Sequence, residues 1–96
     1  MKKVTITYTR EDPSTPWYAL SEETKSADFQ AYRAFVDQNV ENLETGYNSQ
    51  TEVSVDMYFT EENYPQFETL FSTIQPEVDA YNANNNISVT KTVTDV

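Results

Sequence analysis

Sixteen carboxylates, seven phenols and six basic side chains are the titratable groups of this 96-residue chain, which has no histidine and no cysteine. The commonest general base near neutral pH and the thiol nucleophile are both missing. Paired carboxylates remain. Glu22-Glu23 and Glu61-Glu62 are adjacent in sequence, but neighbours at i, i+1 do not face each other on a helix. Both pairs stand at expected helix starts, where acids complement the helix dipole. Asp56 and Tyr58 lie two apart on one strand face, and working together they would need a pocket over an open sheet. No catalytic residue is assigned, and the expectation is a protein without enzyme activity.

Metal ligands would have to be oxygen, which points to Ca²⁺ or Mg²⁺. The chain has no D-x-D-x-D-G loop, and its single glycine, Gly46, is not in an acidic loop. One glycine cannot build a phosphate cradle either. No metal ligand and no cofactor are expected.

The net charge of −10 is unevenly placed. Lys2, Lys3, Arg10, Lys25 and Arg33 come early, and no basic residue occurs from Ala34 to Thr90, a stretch with ten acids. Direct nucleic-acid binding needs the opposite sign. An anionic membrane surface would repel this chain for the same reason. Acidity also keeps a small aromatic-rich domain soluble. The opening MKKVTITYTR has no apolar run behind its lysines, so no signal peptide or anchor is read there. Together with the absent cysteines, this sets the expectation of a cytoplasmic protein.

Ninety-six residues suit one domain, 1–96. Val4, Ile6 and Tyr8 alternate with threonines, as in a half-buried strand. Two prolines, Pro13 and Pro16, break the stretch that follows. Ser26 and Asp28 then start a helix carrying Phe29, Tyr32, Phe35 and Val36. Residues 40–45 either finish that helix, since Val36, Val40 and Leu43 continue its stripe, or form a short strand entering a turn at Gly46-Tyr47-Asn48, and the strand is preferred. Thr51 to Thr60 is a strand with Val53, Val55, Met57 and Phe59 on one face. Thr60 then reads as the N-cap of a second helix, with Phe67, Leu70, Phe71, Ile74, Val78 and Tyr81 as its apolar stripe. Pro76 should kink or restart that helix at Gln75. The asparagines of residues 82–86 read as a stop and turn. Ile87, Val89 and Val93 belong to a last strand.

The order β-α-β-β-α-β, with one apolar face per strand, predicts an α+β fold. It is that of a ferredoxin-like split βαβ sandwich, an antiparallel sheet with two helices on one face. The other face would carry Thr5, Thr7, Thr9, Ser54, Asp56, Tyr58, Thr90 and Thr92. That set is too polar for the centre of an obligate sheet-to-sheet interface. A partner docking on it would use Tyr58 as anchor, beside Asp56. The connection REDPSTPWYAL is long, and long loops are often functional or self-packed. Trp17 and Leu20 are expected to fold back on the sheet edge or the helix face, with Tyr18 turned outward. Trp17 and Tyr18 are the other candidate partner-binding residues.

The run VTITYTREDPSTPWYAL, the run FQAYRAFVDQNV and the segment AYNANNNISVTKTV together resemble small uncharacterised proteins of marine tailed phages. The positions that carry this resemblance are Arg10, Pro13 and Pro16, then Tyr81, Asn82, Asn85 and Ile87. It implies the same fold and a hairpin at Gly46, and it brings no activity. It also implies a virion component or a modulator of a host protein, placed in the host cytoplasm or the virion.

Three functions are compatible with these residues. One is a non-enzymatic interaction or structural module, partnered by another protein or by itself. A second is an acidic inhibitor that imitates DNA. The third is a small-molecule binder or enzyme of the dimeric α/β-barrel type, which needs a pocket between helices and sheet. No small molecule is evident, because the sequence shows no convergent polar cluster for one.

Overall fold

The computed structural model describes residues 1–96. Its elements run β1 (Lys2–Arg10), α1 (Ala27–Asn39), β2 (Asn42–Tyr47), β3 (Glu52–Phe59), α2 (Tyr64–Asn84) and β4 (Ile87–Asp95), with a 3-10 turn at Tyr18–Leu20 in the first connection. The fold is α+β. All four strands pair antiparallel in the order β2-β3-β1-β4.

The two-residue period of the strands sets up two faces. On one, register places Thr45, Val55, Ile6 and Lys91 in a row, with Tyr47, Val53, Tyr8 and Val89 in the next. This is the helix-facing layer. Val4, Ile6, Met57 and Phe59 from the sheet cluster with Val36 of α1 and Phe67 of α2. Both helices thus bury against the same strands. Val4, Phe59 and Phe67 are 0% exposed, and Phe59 and Phe67 stand 4.7 Å apart between ring centroids. The opposite face is polar: Thr5 Oγ1 donates to Asp56 Oδ1 at 2.7 Å, and the Thr7 and Ser54 hydroxyls bond at 3.0 Å.

Helix α1 starts where its cap is. The Ser26 hydroxyl accepts from the Phe29 N–H at 3.0 Å, and Asp28 lies in the first turn. Helix α2 starts later than its sequence suggests. Thr60 accepts from the N–H groups of Asn63 and Tyr64, so it caps a preceding turn. The helix begins at Tyr64, with Pro65 in its first turn. Neither Glu61 nor Glu62 is therefore in the helix; Glu61 instead meets the N-terminal ammonium at 3.2 Å.

Two further expectations are corrected. Helix α2 continues through Pro76 to Asn84. The apolar positions on both sides of the proline, Ile74 and Val78, keep one face toward the sheet layer, and that burial outweighs one lost backbone bond. Gly46 lies inside β2, and no glycine takes a positive φ. The turn falls instead at residues 48–51, where Asn48 and Ser49 N–H both donate to the Glu52 carbonyl. The one positive φ, 54°, belongs to Asn86, and it lets the chain reverse from α2 into β4. No helix is long and apolar enough to cross a membrane.

Candidate functional site

The helix-facing layer is filled at one end and open at the other. Beyond Ile6 the rows Thr45–Val55 and Tyr47–Val53–Tyr8–Val89 form the floor of a cavity of about 580 Å³. Phe29, Tyr32 and Arg33 of α1 form one wall, and Phe71, Ile74, Val78 and Asn82 of α2 form the other. Trp17, Tyr18 and Leu20 of the long connection close the end. Leu20 and Tyr47 are 75% and 77% exposed, so this rim opens to solvent. The size suits a small-molecule site, for which a few hundred Å³ is usual. A closed void of that size would cost on the order of 10 kcal/mol at the rate known for core truncations. A small domain has about that much stability in total. The open rim is what lets the fold carry it.

The connection is held in place by polar anchors at both ends. Arg10 lies over the Trp17 ring, 4.3 Å from its centroid. Its guanidinium also donates to the carbonyls of Thr15 at 2.6 Å and Gln50 at 2.8 Å. Trp17 in turn packs 6.1 Å from Tyr8. Tyr18 stands edge-on to Phe29 at 5.0 Å and tilted against Tyr81 at 5.2 Å. Its hydroxyl donates to Glu77 Oε2 at 2.5 Å, and the Ser26 hydroxyl donates to the other oxygen of the same carboxylate. The Tyr81 hydroxyl reaches the Pro16 carbonyl at 2.5 Å.

The expected orientations of two residues are reversed. Leu20 points to solvent, and Tyr18 turns inward. Tyr18 brings both a ring for Phe29 and a hydroxyl for Glu77, whereas leucine offers no partner to a carboxylate. Trp17 is half-buried, as a packing role requires.

Three phenols at the cavity, Tyr8, Tyr18 and Tyr32, are raised above their ordinary value. Burial pushes Tyr8 up to about 12. Tyr32 is also raised, first by burial and then by Tyr8 and Glu68. Tyr18 is pushed up to about 12 by desolvation, then by its bond to Glu77. Glu77 is held below the ordinary carboxylate range by the Ser26 and Tyr18 hydroxyls. At pH 7 these tyrosines are therefore uncharged hydroxyls. Lys91 lines the cavity, but its ammonium is paired with Glu68 at 2.9 Å and lies over the Phe71 ring. Arg33 and Asp79, of opposite sign, complete the charged lining.

Asn82 differs from the rest of the wall. It is 5% exposed, the one buried polar residue of the chain. Its amide nitrogen has no hydrogen-bond partner in the protein.

Of the four residues singled out from sequence, Trp17 and Tyr18 meet at this cavity. Asp56 and Tyr58 do not: they lie on the other face of the sheet, where Lys3 approaches Asp56 at 4.0 Å and the Tyr58 ring at 5.8 Å. Sequence reasoning missed Tyr8, Tyr32 and Asn82 as site residues. Asn82 had a legible signal, being four residues beyond Val78 in the apolar stripe of α2. Lys91 had one too, as the charge inside the alternation Ile87, Val89, Val93. No group of three or more carboxylates comes together in a way that could hold a metal ion. Comparison with protein-family models, curated proteins and solved structures found no match.

Proposed function

We propose that this protein is a non-enzymatic binding module of ferredoxin-like plan whose site is the helix–sheet cavity, and that it holds a small, largely apolar molecule there. The β-α-β-β-α-β order and the sheet order β2-β3-β1-β4 support the plan. The observation that carries the function is the cavity itself, about 580 Å³ with fifteen hydrophobic residues among its twenty-one. Apolar walls left facing water weaken a small domain. A chain that keeps them while pinning the closing segment with Arg10, Glu77 and Tyr81 retains a shaped site.

The test is titration with the neutral fluorescent probe N-phenyl-1-naphthylamine. The expected result is saturable 1:1 binding with a rise in thermal midpoint. Val78→Phe, which puts a ring into the cavity, should abolish binding while leaving a cooperative unfolding transition. Retained binding in that variant would move the site elsewhere.

A second reading is favoured by the rim. Leu20, Leu43 and Tyr47 are exposed side by side with the cavity mouth, and such a patch suits a protein partner or a second copy. Light scattering separates the two: a monomer that binds the probe supports the small molecule, and a dimer that excludes it supports the protein interface. The acids lie in both helices, three strands and the connections, an arrangement that lends a DNA-like stripe of charge no support.

A further inference from the structure

Resting on that reading, we infer that the cavity selects an uncharged aromatic molecule bearing a hydrogen-bond acceptor, such as a carbonyl, at its inner end, and that Asn82 is the group that recognises it. Three observations converge.

The first is the unpartnered amide. A buried donor without a partner is unfavourable by the desolvation of that group, and natural domains keep few of them. Asn82 is 95% buried by the same measure that makes it 5% exposed, and it lines the cavity. Its neighbours along α2, Ile74 and Val78, are apolar. A leucine in its place would pack without that penalty. The amide therefore makes sense as a group satisfied from the cavity side.

The second is the charge balance. The charged lining is Arg33, Lys91 and Asp79. Lys91 is neutralised by Glu68, and Arg33 and Asp79 are one exposed charge of each sign, where solvent screens them. Nothing in this set favours an ion of either sign, and the buried phenols of Tyr8 and Tyr32 resist ionising. A neutral ligand fits.

The third is the nature of the walls. Tyr8, Trp17, Tyr18, Phe29, Tyr32 and Phe71 surround the space with rings. Flat aromatic ligands gain from offset and edge-on contacts with such rings beyond the area they bury.

The experiment compares benzophenone with diphenylmethane, a pair of nearly the same shape that differs by one carbonyl, using calorimetry and ¹⁵N spectra of the full chain. Wild type should bind benzophenone about tenfold more tightly, the size of one recovered buried hydrogen bond. Asn82→Leu should bind both equally. The Asn82 side-chain amide resonances of wild type should move with benzophenone and stay with diphenylmethane, a readout that needs no variant to fold. Equal affinities in wild type, with those resonances unmoved, would overturn the role of Asn82 while leaving the cavity as a site. Binding of neither compound, with N-phenyl-1-naphthylamine also failing, would overturn the cavity reading and this inference with it.

Discussion

The two ends of the layer between helices and sheet share the same strands yet are built differently. At one end Val4, Met57, Phe59 and Phe67 are 0 to 4% exposed. At the other, Tyr8, Val55 and Val89 are half-buried around the cavity. The change happens along β1 itself, from Val4 through Ile6 to Tyr8. Phe59 and Phe67 fill the closed end, while Tyr8, Trp17, Tyr18 and Tyr32 join Phe29 and Phe71 around the open one. Phenylalanine brings no polar atom into the core, whereas Tyr and Trp combine a ring with a group that seeks a partner. The same binary pattern thus produces a core where the helices meet the sheet and a site where the long connection must bridge the gap.

The largest test of this contrast is truncation. Phe67→Ala removes a fully buried ring that touches Phe59, Tyr32 and Phe71. It should cost about 3–5 kcal/mol in urea unfolding. Val89→Ala, at the cavity floor, should cost about 1 kcal/mol or less, because its side chain already lacks neighbours on one side. Equal losses would mean that the two ends are packed alike.

Enlargement should give opposite signs. Val4→Ile adds a methylene where nothing is exposed and should destabilise by about 1–3 kcal/mol. Val55→Ile adds the same group beside the cavity and should be neutral or stabilise by about 0.5–1 kcal/mol. Thermal midpoints of the two variants decide it. A destabilising Val55→Ile would show the cavity floor to be rigid and full.

These differences bear on what the sequence could show. The strands, α1 with its Ser26 cap, and the apolar faces were legible because burial period and capping are local signals. Pro76 misled because the rule for proline concerns one hydrogen bond, and the stripe around it outweighs that bond. Gly46 misled because glycine permits a turn without requiring one. The cavity was invisible for a different reason. Periodicity reports which face a residue takes, but a space depends on how far α1 stands from β2, which no window of residues encodes. Asn82 was read as part of a turn, since four of residues 82–86 are asparagine. Only its place on the α2 stripe distinguishes it from Asn84, Asn85 and Asn86.

Smaller is the effect of loosening the segment that closes the open end. Glu77→Gln removes the charge that Ser26 and Tyr18 share. It should destabilise by about 1 kcal/mol at pH 7. The pH dependence has a definite sign. Glu77 is depressed below its ordinary value of 4.5 in the folded protein. Its contribution is therefore present above pH 4.5 and is lost as pH falls through the lower folded value. Wild type and variant should converge once the pH lies below that folded value. A gap that does not narrow as the pH falls below 4.5 would assign the effect to shape and not to charge. The carboxylate ties of the closed end, Lys2–Asp95 and the N-terminal ammonium–Glu61, lie at its surface and are present in both wild type and the Phe67 variant, so Phe67→Ala should keep its deficit at both pH values.

The smallest expected effect lies on the far face of the sheet, and it is the most useful for deciding whether that face has a partner. Asp56 sits opposite Thr5 on one side and Glu44 on the other. Asp56→Asn keeps an oxygen to accept from the Thr5 hydroxyl. It gives up the 4.0 Å approach of Lys3, which in solvent contributes at most about 1 kcal/mol. It also relieves the repulsion between two carboxylates directly across the β2–β3 pair. The two changes oppose each other, so stability should move by less than about 0.5 kcal/mol. A solvated face leaves oligomeric state and probe binding in the helix-side cavity unchanged as well. If Asp56→Asn instead alters self-association by light scattering, the polar face is an interface with Tyr58 at its centre. The molecule would then have two working surfaces, one on each side of the same sheet.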